Sequence, residues 1–81
     1  MTVRVRLFAV LRDRAGVGQT ALELPDGATV SQARDLILRQ YPALSDQLGR
    51  CRYAVNLSYE NADTVLHDGD ELALIPPVSG G

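Results

Sequence analysis

Two segments at opposite ends of the 81-residue chain alternate apolar and polar side chains with a period of two. They read TVRVRLFA over residues 2–9 and ELALI over residues 71–75. This alternation is typical of β-strands that bury one face. Because both segments are long and apolar, we expect the first and the last strand to pair at the centre of one sheet, where a helix across them would bury the most surface.

The middle of the chain has the apolar spacing of a helix. Apolar side chains recur at intervals of three and four residues from Val30 to Tyr41. Thr29 and Gln32 have the spacing of a capping box, and Pro42 disfavours a helical conformation in the residue before it. The sequence therefore predicts one main helix that begins after Thr29 and ends before Pro42.

The remaining segments are shorter. Residues 10–18 predict a turn or a single helical turn, and residues 19–25 and 51–56 alternate as strands. Residues 57–63 predict a short strand and a turn. The order is thus strand, strand, helix, strand, short strand, strand. This is an α+β fold with one main helix on one face of a mixed sheet, the β-grasp arrangement of ubiquitin-like domains.

Composition narrows the class of protein. Eight basic and ten acidic residues lack the basic excess of a nucleic-acid-binding domain. No apolar run approaches the roughly 20 residues of a membrane-spanning helix, and one cysteine allows no internal disulfide, which fits a reducing compartment. We therefore expect a cytoplasmic domain whose partners are neither nucleic acid nor a membrane. All eight basic residues are arginine.

Side chains that could catalyse a reaction are not grouped in the sequence. His67 is the only histidine and lies in a predicted turn, which favours a surface role. Cys51 alternates with Tyr53 and Val55, which favours a buried apolar role over that of a nucleophile. One histidine and one cysteine do not provide the spacing of a metal site. We expect the chain itself to bind no metal or cofactor.

The sequence after the last predicted strand reads PPVSGG. We assign residues 1–75 to the folded domain and residues 76–81 to an extended, flexible tail. Pro76 and Pro77 favour an extended backbone, and six extended residues span about 20 Å. The final glycines carry no side chain, so a carboxylate on Gly81 could enter a narrow pocket of another protein. A frayed chain end is the alternative interpretation.

Three stretches of the sequence together resemble one family. They are VRLFAVLRDRAG at residues 5–16, AVN at residues 54–56 and DGDELALIPPVSGG at residues 68–81. Over nearly its whole length the chain is similar to the small, sulfur-carrying subunits of molybdopterin synthase. The last stretch is the most specific, because an acidic turn, an apolar strand, two prolines and Gly-Gly follow one another. The resemblance implies a ubiquitin-like fold.

The resemblance also implies that the reactive residues are Gly81 and Gly80. The carboxylate of Gly81 would be adenylated by an ATP-using activating enzyme similar to the E1 of ubiquitin, and then converted to a thiocarboxylate. The tail would next enter the large catalytic subunit of molybdopterin synthase and give sulfur to the cyclic pyranopterin monophosphate precursor. Two sulfur atoms are needed for each product, and the assembly would hold two copies of each subunit. The chain itself would be a non-catalytic carrier.

The predicted docking surface lies beside the tail. Phe8 is on the outward side of the first strand, and Ala73 and Ile75 are on the outward side of the last, so adjacent strands would form an apolar patch. Arg4 or Arg6 would pair with Glu71 across the two strands. An alternative is that a loop of the domain covers Phe8. The predicted partner-binding residues are Phe8, Ala73, Ile75, Pro76, Pro77, Val78 and Ser79.

Three other functions remain open from the sequence. The chain could be a thiamin-pathway sulfur carrier, which is also a small β-grasp protein ending in Gly-Gly. It could be a ubiquitin-like modifier joined to other proteins through Gly81, although without lysine it cannot form chains through its own side-chain amines. It could also be a binding module whose tail has no function.

Overall fold

The computed structural model describes residues 1–77 of the chain. It contains five strands, three α-helices and one turn of 3₁₀ helix. In chain order they are β1 (Thr2–Leu7), α1 (Ala9–Ala15), β2 (Gln19–Glu23), α2 (Val30–Gln40), the 3₁₀ turn (Pro42–Leu44), α3 (Ser45–Leu48), β3 (Arg52–Val55), β4 (Ser58–Glu60) and β5 (Glu71–Ile75).

The strands form one mixed sheet in the order β2-β1-β5-β3-β4. The first and last strands are adjacent and parallel at its centre, with Leu7 opposite Leu74, and the other neighbouring pairs are antiparallel. The predicted α+β, β-grasp arrangement is confirmed. Among the helices of residues 1–77, none has the length and apolar character that crossing a bilayer requires.

The core lies between the sheet and α2. The inward side chains of β1 and β5 are at most 2 % exposed. From α2, Val30, Ala33 and Ile37 are fully buried in the same cluster. Burying a Val, Leu or Ile side chain contributes about 1.5–3 kcal/mol relative to leaving it exposed. The period-two strands and the helical stripe read from the sequence therefore meet in one core.

The ends of α2 follow the predicted signals. The Gln32 N–H donates to Thr29 Oγ1 at 3.3 Å, and the Thr29 N–H donates to Gln32 Oε1 at 2.8 Å, so the capping box is complete. The helix ends at Gln40, and Tyr41 is its C-cap. Pro42 then begins the 3₁₀ turn, where its missing N–H leaves no hydrogen bond unmade.

The segment after β1 differs from its prediction. Instead of one turn at most, α1 has seven residues, and its C-cap is Gly16, whose φ of 80° lies in the left-handed region. One side chain of α1, Leu11, is fully buried in the core. A two-turn helix with a single buried residue has too little apolar periodicity to be recognised in the sequence.

A tight turn of Asn56 and Leu57 joins β3 to β4. Both residues have positive φ, 50° and 71°, as a type I′ hairpin requires. The Asn56 side chain holds the turn against the start of β5, because its Nδ2 donates to Asp70 Oδ1 at 2.8 Å and its Oδ1 accepts the Glu71 N–H at 3.0 Å. Leu57 is 94 % exposed at the tip.

Candidate partner-docking site beside the end of β5

The central strand β5 ends at the edge of the sheet that is formed by strand ends, where the parallel strands β1 and β5 both stop. Its last paired residue is Ile75, opposite Arg52 of β3. Pro76 and Pro77 follow without belonging to a strand, because proline has no backbone N–H to extend the ladder. Since β1 runs parallel to β5, the residue after β1, Phe8, leaves the sheet at the same edge.

An open groove of about 680 Å³ lies at this edge. We call it the tail-root groove, because Pro76 and Pro77 are among the residues that line it. Its other lining residues are Phe8, Ala9, Val10, Gln47, Arg50 and Ile75. The groove therefore combines apolar side chains from the ends of β1 and β5 and the start of α1 with two polar residues from the α3 region.

Phe8 is the aromatic member of the groove. Its side chain is 37 % exposed, so the alternative in which a loop of the domain covers it is wrong. The Arg6 guanidinium carbon lies 5.3 Å from the centre of the Phe8 ring, within the range of a cation–π contact. Phe8 thus presents part of its ring to solvent at a fixed position beside the prolines.

The predicted patch of Phe8, Ala73 and Ile75 is assembled only in part. Phe8 and Ile75 both line the groove, whereas Ala73 does not. Ala73 is half-buried and lies opposite Arg6 of β1 and Ala54 of β3. Two residues along a strand are about 7 Å apart, which sets Ala73 back from the edge where the groove opens.

Glu71 forms the predicted ion pair across the central strands with both Arg4 and Arg6. Glu71 lies 3.7 Å from Arg4 Nη1 through Oε2 and 3.6 Å from Arg6 Nη1 through Oε1. These partly exposed pairs contribute at most about 1 kcal/mol each to stability. Their effect is local, because they fix the Arg6 side chain between Glu71 and the Phe8 ring.

Neither titratable residue singled out in the sequence is placed for catalysis. Cys51 is half-buried, and its Sγ donates to the Gln47 carbonyl oxygen at 3.2 Å. Burial raises the pKa of the Cys51 thiol, which disfavours the nucleophilic thiolate. The His67 side chain is 80 % exposed, with Nδ1 3.8 Å from Asp70 Oδ2. Both residues occupy the structural roles that the sequence favours.

The described residues form a groove beside the end of β5. Within residues 1–77, no three histidine, cysteine or acidic side chains are grouped so that they could hold a metal ion. The expectation that the chain binds no cofactor stays a prediction. Pro76 and Pro77 lie in the groove, while Val78, Ser79, Gly80 and Gly81 lie outside the described residues.

Sequence reasoning missed four residues of the groove. Ala9 and Val10 directly follow Phe8, so their apolar character could have extended the predicted patch. Gln47 and Arg50 come from a helical region that is distant along the chain from both central strands. Because no local pattern links that region to the end of β5, only the tertiary structure shows their position.

The chain has relatives that match it along its whole length. It is 40 % identical to a molybdopterin synthase sulfur carrier subunit of Chlamydomonas reinhardtii, and the alignment covers 100 % of both chains. The crystal structure of SAMP1, small archaeal modifier protein 1 of Haloferax volcanii, superposes with a TM-score of 0.91 at 32 % identity and covers 100 % of each chain.

A third similar structure contains two subunits. It is a complex of subunits 1 and 2 of the molybdopterin-converting factor from Helicobacter pylori, and the matched chain superposes with a TM-score of 0.72 at 33 % identity over 100 % of each chain. The model of the ThiS family matches residues 5–81, which include the groove and the Gly-Gly end. The chain belongs to the ThiS family.

Proposed function

We propose that this chain is the sulfur carrier subunit of a molybdopterin synthase and that its working group is the carboxylate of Gly81. The observation that carries the proposal is the tail-root groove. Phe8, Ile75 and the two prolines converge at the end of the central strand, directly before VSGG. A partner that binds this groove would contact Pro76 and Pro77, the first residues of the tail. The names of the full-length relatives add independent support.

The proposed chemistry has four steps. The Gly81 carboxylate attacks the α-phosphate of ATP, which forms an acyl-adenylate and releases pyrophosphate. Sulfide-level sulfur then attacks the carbonyl carbon, so a C–S bond forms and AMP leaves with the electron pair of the broken C–O bond. The resulting thiocarboxylate is a soft anionic nucleophile. Its sulfur forms a C–S bond to a carbon of the cyclic pyranopterin monophosphate precursor, while a C–O bond at that carbon breaks and the oxygen group leaves with the electron pair. Hydrolysis of that acyl intermediate returns the carboxylate and leaves the sulfur on the product.

The proposal assigns the catalytic side chains to partner proteins. The large subunit would bind the tail-root groove, and the complex of two subunits from Helicobacter pylori supports a partner of this kind. An E1-like enzyme would supply the adenylation and use the ATP. We further propose two copies of each synthase subunit, since two sulfur atoms enter each product, and a location in the cytoplasm, where ATP is available.

A second candidate is a protein modifier conjugated through Gly81. The high TM-score of 0.91 with SAMP1 of Haloferax volcanii favours it. Both functions begin with the same acyl-adenylate and differ in the nucleophile that follows, sulfide for the carrier and an amine of a target protein for the modifier. The described fold serves both, so the product formed by Gly81 must distinguish them. The thiamin-pathway carrier would share the thiocarboxylate but supply a different acceptor.

A reconstituted synthase assay tests the proposed function. It combines the chain, ATP, an E1-like activating enzyme, a sulfide source, the large subunit and the pyranopterin precursor. We expect the wild-type chain to support formation of molybdopterin and a variant without Gly81 to give none, because the reacting carbonyl is misplaced. Thermal unfolding should be the same for both, since Gly81 comes six residues after the last residue of β5 in the sequence. Undiminished product from the truncated chain would contradict the proposal.

The matched control is Val17→Ala, at an exposed apolar residue that does not line the groove. It should support product formation at the wild-type rate. A carrier of the thiamin pathway would acquire the thiocarboxylate in this mixture but form no molybdopterin.

A further inference from the structure

An activated carboxyl terminus reacts with any unprotonated amine or thiolate within its reach, including those of its own domain. Lysine is the usual source of such amines. The chain has none, and all eight of its basic residues are arginine. A guanidinium has a pKa far above neutral pH and stays protonated in proteins, so it keeps its positive charge without becoming a nucleophile.

Arg50 is the basic residue among those that line the tail-root groove. It is exposed and lines the tail-root groove together with Pro76 and Pro77. Four residues follow Pro77 in the sequence, and four residues of chain reach at most about 14 Å. The carboxyl group of Gly81 can therefore return to the groove in which Arg50 lies. An amine at position 50 would be within its range.

The single thiol of the chain, that of Cys51, lies near the end of β5, and the fold lowers its reactivity. Arg52 pairs with Ile75, so Cys51, one residue earlier, lies level with the start of the tail. Its Sγ is half-buried and donates to the Gln47 carbonyl oxygen at 3.2 Å. Both features favour the neutral thiol over the reactive thiolate.

The amino group of Met1 lies at the other end of the sheet. It donates to the Leu24 carbonyl oxygen at 2.7 Å and is partly buried. The six residues of β1 separate it from the edge at which the tail leaves, a distance of about 20 Å. Because β1 and β5 are parallel, the tail leaves in the direction away from Met1. Its reach of about 14 Å does not cover that distance.

We propose that the domain is inert toward its own activated terminus, and that Arg50 keeps a positive charge beside the tail without offering it an amine. Within one molecule, the chain is then a donor of its acyl group and not the acceptor. This inference rests on the proposed activation of Gly81. It applies equally to a sulfur carrier and to a modifier that is attached one copy at a time.

The reaction that the arrangement prevents is self-acylation. An amine nitrogen would attack the carbonyl carbon of Gly81, a C–N bond would form, and the bond to AMP would break. AMP would leave with the electron pair, and the proton of the amine would pass to water. The product is an amide, which sulfide cannot reopen, so each such event would remove one carrier permanently.

A chemical thioester tests the inference without any activating enzyme. The Gly81 carboxylate is converted to a thioester of a small thiol, and the chain is kept dilute in mildly alkaline buffer. Intact mass separates hydrolysis from loss of the thiol without gain of water, which marks an intramolecular amide. Excess free thiol is added at the end to reverse any thioester on Cys51. The variants are Arg50→Lys and, as matched control, Arg39→Lys, at an exposed residue of α2 outside the groove.

We expect hydrolysis alone for the wild type and for Arg39→Lys, and at least tenfold more intramolecular amide for Arg50→Lys. Peptide mapping should join Gly81 to the introduced lysine. Amide formation in the wild type, or an Arg50→Lys variant no more reactive than the wild type, would overturn the inference. Because the thioester is attached chemically, a failure here leaves the proposed function intact, and a failed reconstitution leaves this result intact.

Discussion

Leu7 of β1 lies opposite Leu74 of β5 in the parallel central pair, and neither side chain is more than 2 % exposed. The next residue on each strand is therefore at the same edge of the sheet. These residues are Phe8 and Ile75, and both line the tail-root groove. The central pairing, whose inward side chains lie in the core, thus also positions the groove at the root of the tail.

Phe8→Asp should weaken binding of the large subunit and leave the fold intact. Phe8 is partly exposed and lines the groove, and truncating an aromatic anchor of an interface typically costs about 2 kcal/mol or more. We therefore expect at least a tenfold rise in Kd, measured by titration calorimetry. Thermal unfolding should change little, because the side chain already contacts water.

The control for this variant is Val17→Asp. Val17 is 36 % exposed, almost the same fraction as Phe8 at 37 %, but it does not line the groove. It should bind the large subunit as tightly as the wild type. Equal affinity of the folded Phe8→Asp variant and the wild type would remove Phe8 from the interface.

Leu57→Gly should stabilise the domain by roughly 0.5–1 kcal/mol. Leu57 has a φ of 71°, a left-handed conformation that costs most L-residues about 1–2 kcal/mol, while glycine adopts it freely at a smaller entropic cost. Its side chain is 94 % exposed, so its removal loses little packing. Urea unfolding measures the difference.

Leu57→Ala separates backbone strain from the loss of an exposed apolar side chain, because alanine keeps the Cβ that disfavours positive φ. It should be no more stable than the wild type. If both substitutions change stability equally, strain in the turn is not the cause.

The stability of the domain should fall in alkaline solution through Cys51. Burial raises the pKa of this thiol in the folded state above its unfolded value. A group of this kind contributes its full stabilisation below the unfolded pKa and loses it as pH rises through the folded pKa. The difference in the free energy of unfolding between the wild type and Cys51→Ala should therefore shrink as pH rises from the unfolded pKa of the thiol to its folded pKa.

Thiol alkylation offers a second measurement of the same shift. The pH at which Cys51 becomes half-maximally reactive should be higher in the folded protein than in urea. Identical alkylation profiles in both states would contradict a protected thiol.

The sequence predicts the fold correctly in segments where apolar residues repeat at a regular interval or where a helix-capping motif is present. Thr29 and Gln32 predict the start of α2, and the alternation of β1 and β5 predicts their central pairing. The helix α1 is underestimated because it buries one side chain, Leu11. Its alanine, leucine and arginine residues favour a helix, but a single buried position gives no repeating apolar pattern that would mark two turns.

The candidate site is predicted only for residues on or next to the two central strands. Phe8 and Ile75 follow from the outward positions of two strands that were expected to be neighbours. Arg50 lies in the groove only because the chain after α2 returns to the end of β5. That return is decided by the burial of Leu44 and Leu48 in the core, which places Gln47 and Arg50 at the surface beside the groove.

The mass of the intact chain isolated from its native host tests the central claim most directly. The claim is that the carboxyl group of Gly81 carries sulfur. The account predicts a population heavier by the replacement of one oxygen with sulfur, located by fragmentation at Gly81 and lost on incubation with the large subunit and the pyranopterin precursor. A chain found only with an unmodified carboxylate, or only as amide-linked adducts of other proteins, would contradict it.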